Sequence, residues 1–188
     1  MHITNVMEFD TPFWKIIKYF FENPYEEIHL RKLSKKTKVS TFSTKQIIDY
    51  LVKEKIVLEK REGNMRYIKA NMKNLFFRHL KIAFKIKELT DTGLIEYIKI
   101  NIPAISSIIL FGSTARGEDD SKSDIDLLII GQRKRLDVSS FERKLGRKIN
   151  LIIMKWSEWR EKTREDKAFY REIITKGIPL YGEFPVIE

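Results

Sequence analysis

The sequence predicts an α+β protein in two parts, a mainly helical first part and a second part in which strands alternate with helices. In the first part, apolar residues recur at the three- and four-residue spacing of helices. In the second part, helical segments separate short apolar runs of strand length. Charge divides the chain similarly, since residues 1–100 have a net charge of +8 and residues 101–188 of +2. A chain of 188 residues is long enough to bury two small cores.

The composition excludes several classes of protein. There is no cysteine, which excludes disulfides, thiolate metal sites and a cysteine nucleophile. His2, His29 and His79 lack the spacing of metal ligands, so no zinc site is predicted. No apolar run reaches the ~18–20 residues of a membrane helix, and residues 1–10 lack the segments of a signal peptide. We therefore expect a cytoplasmic protein with no membrane partner.

The first part contains signals for three helices and a hairpin. Thr11 and Pro12 begin the first helix, and Ser40 or Thr41 caps the third. Gly63-Asn64 is typical of a hairpin turn. The predicted elements are helices over 12–22, 30–38 and 41–53, a short extended element at Ile28, and strands over 56–60 and 66–70. The residues of the third helix predicted to face inward are Thr44, Ile47 or Ile48, and Leu51.

This order of elements resembles a winged helix-turn-helix domain over residues 11–71, and we place that domain at 1–71. The resemblance rests on IHLRKLSKKTKVS for the second helix and its turn, TFSTKQIIDYLVKEKIV for the recognition helix, and LEKREGNMRYIKAN for the wing. It implies double-stranded DNA as a partner. The 12 basic and 4 acidic residues over 29–69 agree with DNA binding and favour it over protein docking, the alternative role of this fold.

The resemblance also assigns the DNA contacts. A recognition helix presents its N-terminal residues to base edges in the major groove, and the matching residues are Thr41, Lys45 and Gln46. Basic residues on either side would bind phosphates. These candidate phosphate contacts are Arg31, Lys35, Lys36, Arg61 and Arg66.

Helical patterns over 72–89 and 94–102 follow the hairpin, and Pro103 ends the second. We assign residues 72–102 to a helical connector. The apolar stripe of its first helix must pack on one of the domains or on a second copy of the chain. Pairing through such a helix predicts a homodimer.

The second part contains a motif of strand, Gly-Ser, ten residues, Asp-x-Asp and strand, in the segment IILFGSTARGEDDSKSDIDLLII. Gly112 allows the backbone to approach a bulky anion, and Ser113 adds a hydroxyl donor. Asp124 and Asp126 are two residues apart on an extended segment, so both carboxylates project from one face. Two carboxylates together with phosphate oxygens suit Mg²⁺, which can polarise a phosphoryl group.

This motif resembles that of the nucleotidyltransferase superfamily that includes DNA polymerase beta, and especially its minimal nucleotidyltransferases. The resemblance spans residues 90–185, and we place the domain, a mixed β-sheet flanked by helices, at 103–188. It implies that Gly112, Ser113, Arg116 and Ser123 bind a nucleoside triphosphate (NTP). It also implies that Asp124 and Asp126 are the catalytic residues and the ligands of Mg²⁺ or Mn²⁺. Arg116 would contact phosphate or, equally, pair with Asp119 or Asp120.

Active members of the superfamily have a third carboxylate on a neighbouring strand. Here a helix over 138–145, capped by Asp137, precedes a strand over 149–154, and the matching residue is Asn150. No Asp or Glu lies within 148–155, so a shifted alignment supplies none. An amide oxygen can bind Mg²⁺ but cannot accept a proton. The sequence therefore favours neither an active nor an inactive enzyme.

Three functions agree with these features. The leading one is a DNA-binding protein that binds NTP with Mg²⁺ and transfers a nucleotidyl group, AMP, to a protein hydroxyl. Minimal nucleotidyltransferases that act as antitoxins imply a HEPN-domain toxin as that protein. The second is a catalytically impaired transcriptional regulator that senses a nucleotide or docks a protein, which Asn150 favours. In the third function, nucleic acid is the substrate, and no feature of the sequence specifically indicates this.

The last residues are predicted as two helices and a closing segment. Ser157 is expected to cap the first of these helices, and the second covers 166–175. Trp156 and Trp159 are predicted core residues. The segment GIPLYG resembles the closing segment of minimal nucleotidyltransferases and is expected to pack on the sheet.

Overall fold

The computed structural model describes residues 10–187, and it divides the chain into two compact units. The first unit ends at Phe77 and the second begins at Arg78. The predictions for residues 1–9, that they lack a signal peptide and begin the first domain, lie outside the described residues.

The first unit has the predicted order of elements, which are α1 (Pro12–Glu22), β1 (Ile28–His29), α2 (Leu30–Thr37), α3 (Thr41–Lys53), β2 (Val57–Glu62) and β3 (Met65–Ala70). The Thr11 hydroxyl accepts a hydrogen bond from the amide of Trp14 at the start of α1, and the Ser40 hydroxyl accepts one from the amide of Ser43 in α3. The three strands form an antiparallel sheet in the order β1-β3-β2. The wing and helix-turn-helix roles of these elements remain predictions.

The helices of the first unit bury the residues that their periodicity selects. Ile16, Phe20 and Leu33 are fully buried, and on α3 the inward face consists of Thr44, Ile48 and Leu51, each with no exposed surface. Lys38, with φ of +55°, reverses the chain between α2 and α3. The buried hydroxyl of Ser34 donates to the Val39 carbonyl across this turn at 2.7 Å.

The second unit is built on a four-stranded sheet. Its elements, the first of which begins just before the unit boundary, are α4 (Leu75–Asp91), α5 (Leu94–Asn101), β4 (Ser107–Phe111), α6 (Gly112–Ala115), β5 (Ile125–Ile130), α7 (Ser139–Leu145), β6 (Ile149–Met154), α8 (Trp156–Glu165), α9 (Lys167–Lys176) and β7 (Ile178–Gly182). The strand order is β6-β5-β4-β7. β5 and β6 are parallel, whereas β4 is antiparallel to both β5 and β7. The prediction of a mixed sheet flanked by helices is confirmed.

Two apolar layers cover the sheet. One contains residues of α4 and α5, including Leu89, Leu94 and Ile98, and the other is centred on Trp159 and Ile173 from α8 and α9. The segment 72–102, predicted as a connector, therefore supplies core residues to the second unit. The periodicity of this segment predicts an apolar stripe. It does not predict which surface the stripe covers, and in the structure that surface is the sheet of the second unit.

Two predictions near the end of the chain are wrong. Ser157 does not cap α8, because the helix begins at Trp156 and the Glu158 carboxylate accepts from the Lys155 amide at 2.9 Å. Trp156 is 39% exposed, whereas Trp159 is fully buried and donates its indole N–H to the Pro185 carbonyl at 2.7 Å. The GIPLYG segment forms β7 against β4. None of the helices described between residues 10 and 187 is long and apolar enough to cross a membrane.

Candidate functional site

The turn at the end of β4 brings the backbone against an acidic side chain. Gly112 has φ of +73°, and a Cβ atom placed on it would lie 2.5 Å from Asp126 Oδ2. Glycine suits this position because other residues are strained at this dihedral and because a Cβ atom would displace the Asp126 carboxylate. The sequence motif predicts that Gly112 lets the backbone come close to an anion. In the folded chain, the backbone at Gly112 lies close to the Asp126 carboxylate.

Asp126 lies on β5 between two neighbouring strands. It is paired with Phe111 on β4 and with Asn150 on β6. The Asn150 side-chain amide donates to Asp126 Oδ1 at 3.1 Å. Active members of the superfamily are expected to have a third carboxylate at the position of Asn150. Here that position holds an amide, which donates directly to the Asp126 carboxylate.

Asp124 lies just before β5 and is exposed. Its main-chain carbonyl accepts a hydrogen bond from the Thr114 hydroxyl at 3.3 Å and faces the Arg147 guanidinium at 3.4 Å. Side chains two residues apart on an extended segment share a face. The carboxylates of Asp124 and Asp126 therefore project on the side of the sheet that Gly112 and Asn150 also border.

The donor set suits a hard divalent cation. Two carboxylates provide the charged oxygen ligands that Mg²⁺ prefers, and Mg²⁺ takes its remaining ligands from water and substrate phosphates. Within residues 10–187, no three His, Cys, Asp or Glu side chains form a group that could hold a metal ion. The chain thus offers Asp124, Asp126 and a neutral amide rather than three carboxylates, which fits an ion that arrives together with a triphosphate.

Arg116 forms ion pairs other than those predicted for it. It donates to Glu118 at 2.7 Å and also pairs with Glu172 of α9. The hydrogen bond to Glu118 raises the pKa of Arg116. The alternative pairing with Asp119 or Asp120 is wrong, because those two carboxylates have other partners. Arg116 remains about one third exposed.

Ser123 is bound within its own loop. Its hydroxyl donates to Asp120 Oδ1 at 2.9 Å, and its amide donates to the same oxygen at 3.0 Å. Hydrogen bonds from the amide of Lys122 and from Ser123 lower the pKa of Asp120. This closed turn precedes Asp124 directly, so Ser123 contributes to the shape of the loop that leads to the acidic strand.

A buried cluster of charges, which no sequence motif indicates, contacts this loop. Asp119 pairs with Lys81 of α4 at 2.9 Å and with Arg147 at 2.6 Å. All three residues are at most 6% exposed. Only the acidic run that contains Asp119 could have suggested it, because its two partners are 38 and 28 residues away in sequence.

The candidate DNA contacts of the first unit lie mostly on its surface. The exposed ones are Arg31, Lys35 and Lys36 of α2, Thr41, Lys45 and Gln46 of α3, and Arg61 of β2. Arg66 is half-buried and pairs with Glu59 and, at 2.7 Å, with Asp49. Burial opposes ionisation of Glu59, but hydrogen bonds from Arg61 and Arg66 outweigh it and lower the pKa of this carboxyl. Arg66 is therefore less available to a phosphate than the lysines of α2 and α3.

The fold and this site define a nucleotidyltransferase domain. Residues 92–184 match the family described as Polymerase beta, Nucleotidyltransferase, and the chain belongs to that family. A relative from Methanocaldococcus jannaschii, named "Putative protein adenylyltransferase", is 37% identical over 79 residues, which are 41% of this chain and 79% of the relative.

Solved structures show weaker likeness. A crystal structure of a toxin-antitoxin complex with AMP-PNP is 20% identical, with a TM-score of 0.37 over 49% of this chain and 73% of the other. A variant of the toxin-antitoxin complex MntA-HpeT is 21% identical, with a TM-score of 0.36 over 50% and 72%. At these scores neither structure bears on the function of this chain.

Proposed function

We propose that this chain is a DNA-binding nucleotidyltransferase that binds an NTP with Mg²⁺ and transfers AMP to a hydroxyl group of a protein. The observation that supports it best is the convergence of Gly112, Asp126 and Asn150 at one end of the central strands. The name of the relative from Methanocaldococcus jannaschii, a protein adenylyltransferase, supports the protein acceptor. A HEPN-domain toxin, implied by the resemblance to antitoxins, is our first candidate for it.

Each site residue has a separate proposed role. Asp124 and Asp126 hold Mg²⁺, or Mn²⁺ in its place, and the ion supplies positive charge to the triphosphate when bound. The Gly112-Ser113 turn binds phosphate oxygens through its backbone and hydroxyl. Arg116 adds positive charge beside the turn, although Glu118 and Glu172 share that charge. Ser123 shapes the nucleotide side of the acidic loop through Asp120.

The reaction forms one bond and breaks another. The acceptor hydroxyl oxygen attacks the α-phosphorus, the bond to the pyrophosphate oxygen breaks, and the hydroxyl proton is released to a base or to water. Asn150 cannot take that proton. We therefore expect transfer to be slow in the native chain and faster in Asn150→Asp, by about tenfold or more if the new carboxylate assists proton transfer.

Incubation with α-labelled ATP, Mg²⁺ and cell lysate tests transfer directly. Label should enter a macromolecule, and the Asp124→Ala/Asp126→Ala variant should abolish it. Asp137→Asn is the matched control, since it removes an exposed carboxylate on the unrelated loop before α7. Equal labelling by the double variant and the native chain would contradict the proposal.

The second candidate function is a regulator that binds the nucleotide without transferring it. The hydrogen bond from Asn150 to Asp126 favours this alternative, because the amide occupies a lone pair of a proposed metal ligand. Tight binding of Mg²⁺·ATP with no transfer, even in Asn150→Asp, would select the regulator. Transfer that appears only in Asn150→Asp would identify a nucleotidyltransferase that lost its activity by this one residue.

DNA binding by the first unit is proposed separately. The exposed cations of α2 would bind phosphates, and the start of α3 would meet base edges. A gel shift with duplex DNA over a salt titration tests this part, because phosphate contacts make affinity fall steeply with salt. Sedimentation of the purified chain tests the homodimer that we propose with it.

A further inference from the structure

One guanidinium joins the two halves of the nucleotidyltransferase motif. Arg147 Nε donates to the Ser123 carbonyl at 2.6 Å, and one terminal nitrogen lies 3.4 Å from both the Asp124 carbonyl and the Thr114 hydroxyl. Its other terminal nitrogen donates to Asp119 Oδ2 at 2.6 Å. A single planar group thus contacts two consecutive peptide carbonyls, a hydroxyl and a carboxylate.

The second half of this arrangement is the turn that follows β4. Thr114 is fully buried, and its hydroxyl donates to the Asp124 carbonyl at 3.3 Å. It comes directly after Gly112 and Ser113 in the chain. Two side chains therefore contact the carbonyl of Asp124. One is Thr114, in the turn after β4, and the other is Arg147, just before β6.

Asp119 holds Arg147 in place from below. Its other carboxylate oxygen accepts from Lys81 Nζ at 2.9 Å, and Lys81 also donates to the Asp119 carbonyl. Burial of three charged groups is costly, and a buried ion pair gives little net stability compared with apolar packing. A rigid fork with several donors can, however, define the position of every acceptor that it contacts.

We infer that Arg147 is a positioning residue for the proposed metal site. By fixing the carbonyls of Ser123 and Asp124, it fixes the peptide planes at the start of β5 and with them the direction in which the Asp124 side chain leaves the backbone. Arg147 is buried and bonds the main chain of Asp124, so its proposed action on the carboxylate passes through the backbone. This inference rests on the proposed function, since it gives a role to a residue of the same site.

Two substitutions separate positioning from support of the fold. Arg147→Met removes every hydrogen bond but leaves Asp119 paired with Lys81, so no carboxylate is left buried without a cation. Arg147→Lys keeps a cation for Asp119 but cannot reach it and two carbonyls at once. Ile98→Ala is the control, because it truncates a fully buried residue of α5 in the same unit.

Calorimetric titration with Mg²⁺ and α,β-methylene-ATP, well below every melting temperature, measures the effect. Arg147→Met and Arg147→Lys should both weaken binding about tenfold or more, the range seen when groups behind metal ligands are removed. Arg147→Lys should recover melting temperature relative to Arg147→Met without recovering affinity. Ile98→Ala should lower the melting temperature and leave affinity within twofold. Native affinity in both Arg147 variants would overturn the inference.

Amide hydrogen exchange decides the matter independently of nucleotide. Exchange over residues 119–126 should accelerate in Arg147→Met more than in Ile98→Ala. If the native chain fails to bind the nucleotide, the proposed function fails, and unchanged exchange over 119–126 would additionally overturn the positioning role.

Discussion

One group of charged residues is exposed in the first unit, and another is buried in the second. In the first unit the basic side chains of α2 and the start of α3 are exposed, as Lys35, Lys36 and Lys45 are. In the second unit Lys81, Asp119 and Arg147 form a cluster of which no member is more than 6% exposed. Exposed cations remain free to exchange counterions for the phosphates of a partner. Buried ones have fixed partners, so they hold parts of the chain in place.

This contrast explains why net charge indicates so little about the second unit. The net charge of +2 over residues 101–188 does not reveal that Asp124 is exposed whereas Asp119 is buried and paired with Arg147. An acidic and a basic residue that pair cancel in the net charge, whereas the excess of basic over acidic residues in residues 1–100 remains visible in it.

The largest expected effect comes from the buried cluster. Asp119→Asn removes the carboxylate that pairs with both Lys81 and Arg147 inside the protein, which should lower the free energy of unfolding by about 3–5 kcal/mol. Glu62→Gln, which breaks the exposed pair of Lys60 and Glu62 on the first unit, should change it little. Denaturant unfolding of both variants measures the difference. Similar losses in the two would remove the contrast between the units.

A pair of glycines separates backbone strain from steric contact. Gly112 and Gly146 both have positive φ, +73° and +65°, but a Cβ would meet Asp126 at Gly112 and nothing within 4 Å at Gly146. Both alanine variants should lose roughly 1–2 kcal/mol from the left-handed backbone. Only Gly112→Ala should also weaken binding of Mg²⁺·ATP, because it displaces the Asp126 carboxylate. Equal nucleotide affinity in the two variants would place the nucleotide elsewhere.

The salt dependence of DNA binding compares the units directly. Replacing Arg31, Lys35 and Lys36 together by alanine should reduce the slope of log K against log salt by roughly 3, about 0.9 for each phosphate that is no longer neutralised. The matched control replaces Arg133, Lys134 and Arg135 of the second unit by alanine. These residues are also exposed, and their replacement removes the same charge. A slope that falls equally in the control would move the DNA surface to include the second unit.

The smallest expected effect is the pH dependence from Asp120. Its folded pKa is lowered by hydrogen bonds from Lys122 and Ser123, so its ionised form stabilises the fold above the unfolded pKa of about 4. That stability is lost as pH falls through the lowered folded pKa. The native chain should therefore lose its advantage over Asp120→Asn in acid. A constant difference between pH 7 and pH 3, measured by urea unfolding, would contradict this.

Much of the fold could be predicted from the sequence because its signals are local. Thr11-Pro12 begins α1, Ser40 caps α3, and the apolar spacing selects Leu33, Ile48 and Leu51 for the core. The family motif likewise lies in one continuous segment. The two strands of the motif, β4 and β5, pair with each other as neighbours. The motif therefore identified, from the sequence, these two strands of the candidate site.

Contacts between distant residues could not be predicted in this way. Arg116 pairs with Glu172 of α9, 56 residues away, instead of with the nearby aspartates. The helices over 72–102 contain an apolar stripe whose periodicity cannot specify the sheet that it covers. The N-cap of α8 is Lys155 and not Ser157. Its position depends on a contact between a side chain and the backbone, because the Glu158 carboxylate accepts a hydrogen bond from the Lys155 amide.

By itself the sequence determined that the chain has a basic first part, a nucleotidyltransferase motif and an asparagine where a third carboxylate is expected. These follow from residue identity and short-range spacing. Only the tertiary structure decided that Asn150 bonds Asp126, that Gly112 lies against that same carboxylate, and that Arg147 bonds the main-chain carbonyls just before β5. The reason is strand register and burial, which bring together side chains that are tens of residues apart in the chain.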